Sequence, residues 1–373
     1  MIKVSIVVPT YNVSQYLDQC MTSLVNQTLR EMEFICINDG STDNSLEILK
    51  RYAAKDSRIK IIDKENGGYG IGMNIGLDNC TGEYVGIVEP DDYVKTNMYG
   101  DLYELAKKYD LDLIKADFCR FVHDENGKEI ATYNALTGDP SAYNHVVDPA
   151  QEPQVFKYIM NTWSGIYKRS FLEEHHIRHN ETPGASFQDN GFWFKTFCYA
   201  KRMYFVNKPY YMNRRDNPNS SVHNKAKVFC MNDEYAYIHD FLDANPEFKE
   251  RYIGYYSFKR YHNYVASYYR IGDEFKEEYM ERFQKEFQEA MAAGELKEEI
   301  FTENEWQLIQ ILVRNAEAYV YAEQNHRLRI EKNREISRLK KELREVKNST
   351  TFKVGRAIMY LPCALKELLK KSE

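Results

Sequence analysis

Short runs of polar residues hold the side chains whose types and spacing could do chemistry. Glu89-Pro90-Asp91-Asp92 places three carboxylates within four positions, and hard divalent cations take oxygen ligands of that kind. Asn38-Asp39-Gly40-Ser41-Thr42-Asp43 offers two more carboxylates among turn-forming residues, and Pro9-Thr10-Tyr11-Asn12 sets an aromatic ring beside an amide. A glycine-rich run, Asn66-Gly67-Gly68-Tyr69-Gly70-Ile71-Gly72-Met73-Asn74, lies between these stretches and leads into a short helix. Its glycines let a backbone approach a ligand closely, and a helix N-terminus favours anions. The same glycines also read as an ordinary turn, because they lack the spacing of a dinucleotide fingerprint.

Each run has an element to position it. Val4-Ser5-Ile6-Val7-Val8, stopped by Pro9, reads as a buried strand of a parallel sheet. Tyr16, Leu17, Cys20, Leu24 and Val25 follow at helical spacing, with Ser14 as the N-cap. Residues 33–38 form a second strand, residues 44–54 a helix and residues 59–62 a third strand; residues 84–88 form the strand that feeds Glu89. This alternation predicts an α/β fold with a doubly wound, Rossmann-like sheet flanked by helices, whose ligands lie outside the carboxyl ends of the strands.

Together, Val7-Val8-Pro9-Thr10-Tyr11-Asn12, Ile37-Asn38-Asp39-Gly40-Ser41-Thr42-Asp43, Asn66-Gly67-Gly68 and Glu89-Pro90-Asp91-Asp92 resemble the signature series of family 2 glycosyltransferases in order and spacing. The likeness is to the bacterial cell-surface polysaccharide type and covers residues 3 to 225 or so. It implies a GT-A fold with a mixed sheet, inverting transfer from a nucleotide diphosphate sugar, and a need for Mg²⁺ or Mn²⁺. On this reading Asp39 accepts a hydrogen bond from the uracil ring of a UDP-sugar, although a turn or N-cap aspartate is the plainer role. Tyr11 stacks on the base, and Pro9, Asn12, Asn66, Gly67, Gly68, Glu89 and Pro90 line the nucleotide-sugar site. Asp91 matches the last carboxylate of the family's Asp-x-Asp and holds the cation across the diphosphate oxygens. Glu89 stands where the family has aspartate, and Asp92 is either a further ligand or a cap.

Phe187-Gln188-Asp189-Asn190-Gly191-Phe192-Trp193-Phe194 resembles the family segment in which an acidic pair precedes an aromatic helix. The resemblance puts Asp189 in the position of the base that takes the acceptor hydroxyl proton, with a helix cap as its alternative role. Gln188, on the acceptor side, replaces the usual first acid. Farther on, Arg214 and Arg215 match the segment that closes over the diphosphate, and His223 adds a candidate metal ligand. Trp163 is either a platform for an acceptor sugar or a core residue.

The chain has 373 residues, more than one core usually needs, so at least two modules are expected. Its net charge of −6 argues against nucleic-acid binding, and its scattered cysteines form no zinc or disulfide pattern. No apolar run approaches the ~20 residues of a membrane span, and the N-terminal run is too short for a signal-peptide core. The expected location is the cytoplasm, at the inner face of the cell membrane if the tail binds it. Thirty tyrosines suit packing between helices or binding of sugars. The expected organisation is a catalytic domain over 1–225, a helical appendage over 226–324, and a charged helix with a basic amphipathic tail over 325–373. Ile336, Leu339, Leu343 and Val346 have the spacing of a short coiled coil, consistent with a homodimer. The tail, from Phe352 through Leu369, either lies on an anionic membrane or packs on the protein itself. The expected activity is transfer of a hexose-type sugar from a nucleotide-sugar donor to a glycan or lipid-linked acceptor in cell-surface polysaccharide synthesis. The alternative is an inactive nucleotide-sugar-binding or scaffold protein on the same fold, its chemistry lost through the changes at Glu89 and Gln188.

Overall fold

A computed structural model describes residues 1–220 and 224–358; the expectations for His223 and for the tail beyond residue 358 fall outside these. Strand β1 (Val4–Thr10) pairs in parallel with β2 (Met32–Asp39) on one side and β4 (Tyr84–Ile87) on the other, and β3 (Ile59–Lys64) adds to β2. Helices α1 (Ser14–Val25), α2 (Ser45–Ala53) and α3 (Tyr69–Asp78) make the crossovers. β1 runs through Pro9 because its pairing with β4 stops at Val7, so a residue without an N–H sits where only β2 is alongside. Ser14 is not the N-cap of α1: Val13 precedes the helix, and the Ser14 N–H donates to Asp43 Oδ2 at 2.9 Å. The next loop thus supplies the anion that the helix start favours.

The second half makes the sheet mixed. Strands β5 (Tyr93–Val94), β6 (Leu113–His123), β7 (Glu129–Asn134), β8 (Val146–Val147), β9 (Gly165–Lys168) and β10 (Met203–Arg214) extend it to the order 3-2-1-4-9-6-10-5, with β7 on β6 and β8 on β10. β9 is antiparallel to both β4 and β6, whereas β10 runs parallel to β6, with an irregularity between Val206 and Tyr211. Helices α4 (Met98–Tyr109), α5 (Arg169–Glu174) and α6 (Asp189–Tyr199) complete this half. α6 buries Phe192, Trp193, Phe194 and Phe197, an aromatic content suited to a helix closed in by its neighbours.

α7 (Cys230–Asp243) and α8 (Pro246–Arg270) belong to the same compact unit as the sheet, which comprises residues 1–283 and 289–301. Tyrosines fill their packing: Tyr235, Tyr252, Tyr256, Tyr264 and Tyr268 are buried. Buried hydroxyls among them find polar partners: Tyr256 donates to the Tyr235 carbonyl at 2.9 Å, and the Tyr235 hydroxyl accepts from Asn263 Nδ2 at 2.7 Å. α9 (Lys276–Ala292) bears Tyr279, whose hydroxyl donates to the Tyr264 carbonyl at 3.1 Å.

A second unit comprises residues 284–288 and the chain from Thr302 onward, with α10 (Glu303–Arg314) and α11 (Ala316–Asn348). Thr302 opens α10 with a capping box, its N–H and hydroxyl donating to Glu305 Oε2 at 2.8 and 2.9 Å. Among the described residues no helix is long and apolar enough to cross a membrane.

Candidate active site at the strand ends

The loops after β1, β2 and β4 converge at the carboxyl edge of the parallel strands. Asn12 takes the left-handed conformation, φ 51°, which asparagine tolerates better than most residues. Its Oδ1 accepts from the Thr42 N–H at 2.8 Å, and its own N–H donates to Ser41 Oγ at 3.1 Å. The first two loops are thereby knitted together. Tyr11, beside it, is 50% exposed.

Asp39 is buried and organises the glycine turn. Its two carboxylate oxygens accept from the N–H groups of Gly67 and Gly68, each at 2.9 Å, and Lys64 Nζ donates to Oδ1 at 2.5 Å. Asn66 Nδ2 donates to the Asp39 carbonyl at 2.9 Å. The backbone donors of Gly67 and Gly68, expected to line a ligand, thus turn toward Asp39. A second constraint comes from the loop before α6. A Cβ on Gly68, which has φ +93°, would meet the Gly184 backbone nitrogen at 2.7 Å, and one on Gly70 would collide with the Asn180 carbonyl. The Tyr69 N–H donates to the Gly184 carbonyl at 3.1 Å. The glycines therefore let the loop that precedes Asp189 close on the strand ends.

The three carboxylates after β4 look alike in sequence and differ in structure. Asp92 is buried, with Oδ1 accepting from the Arg214 N–H at 2.6 Å and Oδ2 from Asn213 Nδ2 at 3.0 Å. Burial first, then the charge of Asp91, pushes its pKa up to about 8. These bonds give Asp92 a structural role in fastening β10 to the loop, rather than the metal-ligand role its position suggested. Glu89 accepts from the Tyr69 hydroxyl at 2.9 Å. Its pKa is pushed up to about 8 by burial, against the Tyr69 hydrogen bond, with Asp91, Asp92 and Asp189 adding negative charge. Asp91 is half-buried, and its Oδ2 accepts from Asn217 Nδ2 at 2.8 Å. Among the described residues no group of three or more His, Cys, Asp or Glu side chains is arranged to hold a metal alone. One half-exposed carboxylate suits a Mg²⁺ or Mn²⁺ ion that takes its remaining oxygens from a diphosphate and water.

Asp189 opens α6 behind Gln188, and burial pushes its pKa up to about 6, opposed by backbone hydrogen bonds. The loop that precedes Asp189 is tied to the acidic loop through Tyr69, whose N–H donates to the Gly184 carbonyl at 3.1 Å and whose hydroxyl donates to Glu89 at 2.9 Å. Gln188 is buried and braces the preceding loop: Oε1 accepts from the Ser186 N–H at 2.7 Å, and Nε2 donates to the carbonyls of Thr182 and Gly184 at 3.0 Å. With both ends of its amide engaged, Gln188 does not turn to an acceptor. Trp163 is half-buried and stacks on Tyr211 with ring centroids 4.2 Å apart, while the Tyr211 hydroxyl accepts the Glu89 N–H at 3.0 Å.

The two arginines part company. Arg214 is buried between the rings of Tyr16 and Phe121, its Nε donating to the Asp91 carbonyl at 2.8 Å and its guanidinium reaching Gln19 and Asp216. It positions the acidic loop, a role the diphosphate expectation did not include. Arg215 is exposed.

Sequence reasoning missed Tyr69, Asn217 and Glu234. Tyr69 was visible only as one ring inside a glycine run. Glu234, on α7, accepts from the Gly191 N–H and from Asn180 Nδ2, each at 2.9 Å, and burial raises its pKa to about 7. It thus holds both the first turn of α6 and the loop that closes on Gly70.

A mixed sheet in this order, with acidic loops at the ends of its parallel strands, is the GT-A arrangement. Residues 5–175 match the model of the family described as Glycosyl transferase family 2. The uncharacterized glycosyltransferase EpsJ of Bacillus subtilis is 31% identical over 220 residues, covering 58% of this chain and 62% of EpsJ, just under two thirds of that relative's length. The glycosyltransferase GlyG of Streptococcus pneumoniae is 31% identical over 221 residues, covering 57% of this chain and 70% of GlyG. Among solved structures, S. aureus TarS 1–349 in complex with UDP superposes with a TM-score of 0.61 at 20% identity, covering 87% of this chain and 91% of that one. The chain belongs to glycosyl transferase family 2.

Proposed function

We propose that the protein is an inverting glycosyltransferase that moves a hexose-type sugar from a UDP-sugar to a glycan or lipid-linked acceptor in cell-surface polysaccharide synthesis. The observation that carries this reading is the link made by Tyr69, which joins the loop before Asp189 to Glu89 of the acidic loop that holds Asp91, together with the raised pKa of Asp189. Family membership supports the reaction class, and the complexes of TarS with UDP and with UDP-GlcNAc support a uridine donor.

The loop chemistry fits the donor half. Exposed Tyr11 offers a face to the base, and Asp39 retains lone-pair capacity for the uracil N–H beyond the glycine donors it already accepts. Asp91 is the residue that would hold Mg²⁺ or Mn²⁺ against the diphosphate. Such an ion neutralises charge on the departing nucleoside diphosphate. Arg214 and Asn217 fix the Asp91 loop, and Arg215, which is exposed, carries a guanidinium of the kind that suits phosphate oxygens.

On the acceptor half, ionised Asp189 takes the proton from the acceptor hydroxyl. The acceptor oxygen then bonds the anomeric carbon as the bond from that carbon to the phosphate oxygen breaks. Trp163, on its Tyr211 support, is the aromatic surface available to an acceptor sugar.

The test is thermal unfolding with UDP, UDP-hexoses and GDP-mannose, each with and without Mn²⁺. A UDP-selective rise in the unfolding temperature that needs the metal, and that Asp91→Asn removes while the metal-free response stays unchanged, is expected. Equal responses to all nucleotides, indifferent to Mn²⁺ and to the substitution, would refute the donor assignment.

A further inference from the structure

The surface of α11 is explained by neither the donor nor the acceptor. From Arg327 to Asn348 every residue of this helix is exposed, a length of roughly 30 Å at 1.5 Å per residue. In proteins most helical stability comes from packing of an apolar face and not from propensity. Ile336, Leu339, Leu343 and Val346 lie along it at 48–55% exposure, spaced three, four and three residues apart as a, d, a and d of two heptads. The outward positions of the same heptads hold Ser337, Arg338, Lys341, Arg344, Glu345 and Asn348, none of them apolar.

The flanking charges select an orientation. In this register Glu335 and Glu342 occupy g, and Lys340 and Lys347 occupy e. In a parallel pair each g side chain faces the e position five residues onward in the other helix. Glu335 then meets Lys340 of the second copy, Glu342 meets its Lys347, and symmetry repeats both contacts. In an antiparallel pair g faces g and e faces e, which sets glutamate against glutamate and lysine against lysine. Arg338 already bridges Glu335 and Glu342 along one helix at 2.5 and 2.9 Å, holding both carboxylates beside the seam.

We infer that α11 docks with a second copy of this chain as a short parallel two-stranded coiled coil, with Ile336, Leu339, Leu343 and Val346 as its seam and Glu335–Lys340 and Glu342–Lys347 as its cross-helix pairs. The seam is bounded upstream by Arg329 and Lys332 in the preceding a and d positions and downstream by the end of the helix at Asn348. It serves association only, so the chemistry proposed for the strand ends does not depend on it.

Sedimentation velocity on the full chain, over a concentration series reaching about 100 µM, is expected to show a monomer–dimer equilibrium. Leu339→Glu with Leu343→Glu should raise the dissociation constant by about 100-fold or more, because carboxylates would be buried in the seam. Lys340→Glu with Lys347→Glu leaves the apolar seam intact and should also weaken the dimer; mixing that variant with Glu335→Lys plus Glu342→Lys should restore association. Val346→Cys reads the orientation, since d positions abut in a parallel pair and mild oxidation should link the two copies. A chain that stays monomeric throughout the series overturns the proposal, as does a dimer indifferent to both double substitutions. A dimer that persists while Val346→Cys fails to cross-link overturns the parallel register.

Discussion

Carboxylates crowd both the strand-end cleft and α11, and the two regions treat them in opposite ways. At the cleft, burial pushes Glu89, Asp92 and Asp189 toward their protonated forms, and each is held by named donors or by the backbone. Along α11, Glu335 is exposed and held below the usual carboxylate range by hydrogen bonding to Arg338. Acidic density therefore says little by itself; what surrounds the carboxylate decides whether it stores a reactive protonation state or solvates a helix face.

Removing the carboxylate proposed as the base should show this contrast most strongly. Asp189→Asn is expected to lower turnover by about 10³-fold, in the range of a lost general base, while UDP affinity changes by less than about twofold. A matching loss of UDP binding would make Asp189 a structural aspartate. The same carboxyl gives the pH signature. Only its ionised form accepts a proton, and its pKa is raised to about 6. Wild-type kcat should therefore fall as pH drops through about 6, whereas an exposed aspartate would hold the rate to about pH 4. A profile flat down to pH 5 would remove Asp189 from the role.

A smaller effect is expected one layer back. Glu234→Ala would leave the Gly191 N–H and the Asn180 amide without their acceptor in a buried setting, at a cost of about 3 kcal/mol. Glu234→Gln keeps one acceptor oxygen and should lose less, as read by urea unfolding. Equal losses would show that the charge, and not the hydrogen bonds, matters there. The smallest effect belongs to α11. Arg338→Ala removes the bridges to Glu335 and Glu342, yet the melting temperature should move by no more than about a degree because the pairs are solvated. A fall of several degrees would dissolve the distinction between the regions.

The parallel half of the sheet was legible because β1, β2 and β4 are apolar runs, each delivering a polar loop at its end. β5, β8 and β9 were not, since strands of two to four residues are too short for any periodicity to stand out. The resemblance fixed which loops matter, but it did not sort Glu89, Asp91 and Asp92. That sorting is done by Tyr69, Asn217 and the backbone of β10, partners 20 to 126 positions away. Arg214 and Gln188 were assigned to ligands because they fall in segments that resemble the family's; their burial could not be read from neighbouring residues. The tyrosines from Tyr235 to Tyr279 carried the opposite ambiguity, and those that line α8 and face α7 are packing residues.

Glu234 also bears on how such chains can be recombined. The family match ends at residue 175, yet the first turn of α6 rests on a side chain from α7. A chimera with its crossover between Arg214 and Cys230 would import a foreign α7 beneath a native α6, and it would work only if the donor sequence brought an acceptor for the Gly191 N–H. Joining the halves after α7 instead keeps that contact within one parent, but the incoming α8 must then supply a donor for the Tyr235 carbonyl in place of Tyr256.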